Sequence, residues 1–208
     1  MRNCPPTCIA VAAGNGGRFW RPCHKTAVCP WCWDREVVYR TFKVVEAEMD
    51  RTGCLPDRRT RLYPDLPPYK LCCEVRRGSV PDGDNQPDDI LDIVETYLRK
   101  AKGPASKNSH GWGQIGVVWP KNGGGWSYSC RYLYLVPVDT PVVESARTAF
   151  PATRRKVASL VGRFARYPAS WLLGDVNEHV KLLEARKGRR LLRLGGAFWN
   201  QGAEDDRG

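Results

Sequence analysis

Apolar positions recur along this chain with two different periods, and the switches between them mark out its elements. After Asp34, a residue suited to capping a helix, Val38, Phe42, Val45 and Met49 fall on one stripe at helical spacing, and Gly53 ends it. A connector carrying Pro56, Pro64, Pro67 and Pro68 follows. Tyr69 to Arg77 then reads as a strand, and Gly78 to Gln86 as a loop. Pro87-Asp88-Asp89 opens a second helix that turns Ile90, Leu91, Val94 and Leu98 inward and stops at Gly103-Pro104. Two strand-like runs, Gly113 to Pro120 and Trp126 to Val138, flank Lys121-Asn122-Gly123-Gly124-Gly125, a hairpin turn by composition. From Pro141 the pattern turns helical again, with Val157, Leu160, Val161 and Phe164 on one face and Pro168 as the breaker. A further helix is predicted from about Asp175 to Lys187, a last strand between Arg190 and Trp199, and a frayed acidic tail from Gly202 to Gly208.

The order β-α-β-β with later helices predicts an α+β fold, an antiparallel sheet with helices on one face, the layout of ferredoxin-like and RRM-like cores. The other face would then be open to a ligand. Within Tyr128 to Val136, alternation places Tyr128, Cys130, Tyr132 and Tyr134 on one side and Leu133 and Leu135 on the other. On an open face Tyr132 would offer a stacking platform for a nucleic-acid base. The chain divides into a cysteine-rich module with its helix over residues 1–53, the α+β core over residues 69–200, and the tail over residues 201–208.

Charge adds a partner to this picture. The formal net charge is +11, and residues 147–193 hold twelve Lys or Arg against three acids. Such a segment attracts a polyanion through counterion release, and Arg154, Arg155, Lys156, Arg163 and Arg166 are its candidate contacts, with Phe164, Tyr167 and Trp171 interleaved. Nucleic acid is the natural partner. No run approaches the length of a membrane span and the first residues lack the apolar core of a signal peptide, so a cytoplasmic protein without a membrane partner is expected.

Nine cysteines, an odd number, fit a reducing compartment and a metal better than a disulfide framework. Cys29-Pro30-Trp31-Cys32 places two thiols in a tight turn that suits one tetrahedral zinc ion, and Cys23-His24 stands just upstream. Cys8, Cys23, Cys29 and Cys32 are the expected ligands of a structural Zn²⁺, with Cys4 and His24 as substitutes between which spacing does not choose.

The run Cys23 to Cys32, followed by Trp33, Arg35 and a helix, resembles the N-terminal cysteine module of rolling-circle plasmid replication initiator proteins, members of the HUH endonuclease superfamily. Phe164-Ala165-Arg166-Tyr167-Pro168 is similar to the family motif that carries a nucleophilic tyrosine on a helix, and Tyr69 to Arg77 matches the first core strand in position. The resemblance implies a protein that binds single-stranded or hairpin DNA and nicks and rejoins it through Tyr167 with Mg²⁺ or Mn²⁺. The family's two metal-binding histidines are replaced. Cys130 and Tyr132 stand in their places, and neither suits a hard cation. A DNA-binding or regulatory homologue without the chemistry is therefore the alternative, and a zinc-stabilised RNA-binding protein a further one.

Overall fold

The structure is a computed structural model that describes residues 10–12, 18–20, 33–56, 67–80, 87–100, 108–121, 125–166, 181–182, 184–185, 189 and 192–199. The chain begins with a two-stranded antiparallel ribbon, β1 (Ala10–Ala12) and β2 (Arg18–Trp20). A π-helical turn, Asp34–Tyr39, leads into α1 (Arg40–Arg51). Then come β3 (Tyr69–Val80), α2 (Pro87–Lys100), β4 (Gly111–Pro120), β5 (Trp126–Pro137), β6 (Arg147–Ala149), α3 (Arg154–Ala165) and β7 (Leu192–Gly196). The expected order of strand, helix and hairpin holds. The five strands β6-β3-β5-β4-β7 form one sheet, antiparallel throughout, with β5 at its centre.

Helices cover both faces of this sheet, which corrects the expectation of helices on one face. Against the first face pack Val44, Val45 and Met49 of α1 and Val157, Leu160, Val161 and Phe164 of α3, meeting Leu71, Ile115, Leu133 and Leu135. Against the second, α2 seats Ile90, Leu91, Val94 and Leu98 on Cys72, Val118, Cys130, Tyr132, Tyr134 and Val136. The physical reason lies in β5. Every residue from Ser129 to Val136 is buried, so the strand's tyrosine side is as deeply covered as its leucine side. The helix expected to close the N-terminal module lies in the same core as the sheet.

Local chemistry explains the element ends. Asp34 does not stand at the N-cap position of this helical segment, because Trp33 before it is already helical. The inward face of α1 is Thr41, Val44, Val45, Glu48 and Met49; Val38 and Phe42 of the expected stripe lie at its partly buried margin. Gly53, at φ +68°, reverses the chain, with Cys54 N–H donating to Met49 O at 2.8 Å and Gly53 N–H to Asp50 O at 3.1 Å, the Schellman pattern that ends a helix on glycine. Strand β3 runs past Arg77 into the expected loop, since Gly78 pairs with Tyr128 and makes room for its ring: a Cβ there would lie 2.3 Å from the phenol. Thr153 caps α3 by accepting from Lys156 N–H at 3.3 Å.

Candidate functional site

The first face of the sheet and α3 border a half-open cavity of about 460 Å³ at the sheet's β6 side. From β3 it takes Val75 and Arg77, from β5 Arg131, from β6 Arg147, and from α3 Ser159, Leu160, Gly162, Arg163 and, just past the helix, Arg166. The register explains the meeting: Val75 lies directly opposite Arg131, and β6 pairs with β3 through Cys73 opposite Arg147. On α3, positions 159, 162 and 163 share one face at helical spacing, and Arg166 follows just past the helix end, four residues after Gly162. Five arginines thus border one space. Among the described residues none of the five is in an ion pair, and no acidic residue lines the cavity.

Arg131 is the buried member, 7% exposed, while Arg77, Arg147, Arg163 and Arg166 reach solvent. Its Nε donates to Ser129 Oγ at 2.9 Å, and its Nη1 donates to Phe164 O at 3.2 Å and to Arg166 O. Trp33 Nε1 donates to the intervening Ala165 O at 2.5 Å. The carbonyls of Phe164, Ala165 and Arg166 at the end of α3 are thereby bonded, and the helix end is fixed against both α1's entry and the central strand. Burial, with Arg77, Arg166 and Arg163 nearby, pushes the Arg131 guanidinium down from its ordinary value to about 10. Beneath it, the Cys73 thiol is pushed up to about 11 by burial, although Arg163 and Arg131 pull the other way, so it stays protonated at neutral pH.

Of the residues singled out in the sequence, Arg163 and Arg166 line the cavity, and Arg155 and Lys156 are exposed one turn before Ser159 and Leu160. Arg154 does not join them: its Nε is paired with Glu46 at 3.0 Å. Tyr132 is a second correction, being buried on the opposite face under α2 with Arg76 5.8 Å above its ring, and burial raises its hydroxyl well above the usual phenol range. It is no open stacking platform. Tyr167, Cys8, Cys23, Cys29 and Cys32, like Cys4 and His24, lie outside the described residues. Arg77, Arg131 and Arg147 were missed as site residues, although a lone charge amid the apolar and aromatic residues of β5 is itself a signal of a buried, partnered group.

The register also tests the place of a catalytic metal. Cys130 and Tyr132, the substitutes for the family's histidines, face α2, whereas α3 faces Ser129, Arg131 and Leu133. A hydroxyl and a guanidinium on one side, and on the other a thiol pushed up to about 11 beside a phenol, with the Glu74 carboxylate opposite Tyr132 already paired with Arg76 at 2.6 Å, are a poor fit to Mg²⁺ or Mn²⁺.

A second polar cluster holds α1 to the sheet. Glu48, 1% exposed, accepts from Arg51 Nε at 3.0 Å and Nη2 at 2.6 Å and lies 2.5 Å from His110 Nε2, whose ring stacks on Tyr69. Burial pushes this carboxyl up, but the hydrogen bonds and charges of Arg51 and His110 outweigh it and hold the group below its ordinary 4.5. His110 thus fastens α1 to the start of β4. No described helix is long and apolar enough to cross a membrane. Compared with known proteins, the chain matches no family model, no curated protein and no solved structure.

Proposed function

We propose that this protein binds single-stranded DNA in the manner of a replication initiator, seating backbone phosphate in the arginine cavity beside α3. The observation that carries the reading is the convergence, among the described residues, of five arginines without an ion-pair partner on one space that no described carboxylate lines. Guanidinium groups offer paired donors that match phosphate oxygens, and a cationic concavity concentrates a polyanion. Arg155 and Lys156, further along the exposed side of α3, extend the positive track. The sequence motif around Arg166 supports DNA over RNA. Matched single-stranded, hairpin, duplex and RNA probes, titrated by fluorescence anisotropy over a range of salt, test this. Single-stranded DNA should bind tightest, and Arg163→Gln with Arg166→Gln should lower the slope of log affinity against log salt by about 0.7 for each phosphate no longer neutralised. Absence of binding at low salt, or affinity indifferent to salt, would refute it.

One observation favours a chemical step as well: Arg166 lines the cavity and Tyr167 is the next residue. In this second reading the Tyr167 hydroxyl attacks a phosphodiester, the new P–O bond forms as the bond to the 3′ oxygen breaks, and that oxygen leaves with a proton. The arginines neutralise the phosphoryl charge, so the step proceeds in EDTA. A covalent adduct on a denaturing gel, lost in Tyr167→Phe with binding unchanged, is the expected result; no adduct with or without divalent metal leaves binding alone.

A further inference from the structure

We infer that the cavity receives a terminal phosphate monoester, the phosphorylated end of a DNA strand, in preference to internal phosphodiesters. The inference rests on the reading of the cavity as the seat of a nucleic-acid phosphate and adds which phosphate it selects.

Size and charge carry the argument together. A sphere of 460 Å³ is about 10 Å across, room for one or two phosphates of a strand whose charges recur every few ångström along its axis. Each diester brings one negative charge and two free oxygens. Five guanidinium groups around so small a space would therefore remain in large excess over any backbone crossing it. A monoester brings close to two charges and a third strong acceptor oxygen.

The position of the charges points the same way. Arg131 cannot swing out to meet a strand passing over the surface, because Ser129, Phe164 O and Arg166 O hold its guanidinium in place. An anion has to come to it, between the sheet and α3, and a strand end enters such a cleft more readily than a continuous backbone does. The C-terminal end of a helix ordinarily repels an anion. Here its carbonyls at Phe164, Ala165 and Arg166 are all occupied by donors from Arg131 and Trp33, which screens that negative end from the cavity. The depressed affinity of Arg131 for its proton, caused by burial and three neighbouring arginines, is the strain that a dianion would relieve. With the end seated there, Arg155 and Lys156 are placed to follow the trailing backbone.

The test uses the full chain and three oligodeoxynucleotides of one sequence, each with an internal fluorophore, bearing a 5′-phosphate, a 3′-phosphate or neither. One phosphorylated probe, or both, should bind roughly ten- to a hundredfold tighter than the unphosphorylated one, the gain of about one charge-assisted hydrogen bond, and the arm that gains identifies the end recognised. The preference should shrink at pH 5, where a monoester loses its second charge near pH 6. In the Arg77→Gln, Arg147→Gln variant, whose changes lie at exposed positions, circular dichroism should be unaltered and every probe should bind more weakly, the phosphorylated probes by the larger factor, so that the preference is lost. Equal affinity for all three probes overturns the inference and leaves the DNA-binding reading intact. Preference that survives in the double variant overturns it too, and failure of every probe to bind removes the underlying reading instead.

Discussion

Replacing Arg131 by methionine measures whether the buried guanidinium holds the site together or is merely tolerated in it. The substitution keeps most of the aliphatic volume but removes donors to Ser129 Oγ, Phe164 O and Arg166 O. At about 1.5–3 kcal/mol for each hydrogen bond made by a charged group, the loss is on the order of 5 kcal/mol. Against it stands the cost of keeping a cation there. A guanidinium pushed down to about 10 by burial and its arginine neighbours corresponds to a cost of roughly 3 kcal/mol, which methionine removes. The balance is a destabilisation of about 2 kcal/mol, or about 4–8 °C in Tm for a domain of this size. Thermal and urea unfolding followed by circular dichroism would measure it, with Arg131→Lys as the variant that keeps the charge and loses the fork. Hydrophobic replacement of a buried charge can also stabilise a protein. An Arg131→Met protein as stable as the parent, or more so, would show that repulsion among the arginines exceeds the bonding of the helix end, and would refute a net stabilising role for Arg131.

The Glu48 cluster predicts acid sensitivity of a particular sign. Its carboxyl is held below its usual value in the fold, so its contribution is complete above about pH 4.5 and is lost as pH falls through the folded value; Tm should drop over that window, and Glu48→Gln should flatten the drop. Acid slopes that coincide for the two proteins would exclude this role. For the cysteine-rich segment, we expect about one zinc ion per chain in protein purified without chelator, and the Cys29→Ser, Cys32→Ser pair should lose it. Elemental analysis without zinc would end that expectation.

Much of the fold is legible in the chain because its strongest signals are local. The hairpin of β4 and β5, the Pro87 start of α2 and the inward face of α3 at Val157, Leu160, Val161 and Phe164 are all set by residues a few positions apart. Signals that depend on neighbours distant in sequence are less visible. Tyr132 and Tyr134 read as the wet side of a half-buried strand, since a phenol is equally at home on a surface; only the apolar face of α2 lying over them makes that side interior. Strand β6, three residues long, is too short to show a period and passes as the approach to a helix. The site divides along the same line. Arg163 in the last turn of α3 and Arg166 just past it can be read from spacing, whereas Arg77, Arg131 and Arg147 reach them through strand register, which no local pattern states. Arg154 shows the converse: it belongs to the same basic run, yet α1 supplies Glu46 to neutralise it.

The fastening of the last turn of α3 has a consequence for biosynthesis. Trp33 and Arg131, which hold it, lie 132 and 33 residues before the carbonyls they reach at Ala165 and Phe164. A ribosome releases these three pieces in order, so the cavity is finished only when the last of them has emerged and docked on the two already made. A fragment starting at Tyr69 would carry every arginine of the site and still leave the Ala165 carbonyl without its tryptophan. The arginines are therefore brought to a common focus only once α3 has followed β3, β5 and β6 out of the ribosome, and a shorter polypeptide carries the strand arginines without the helix pair beside them.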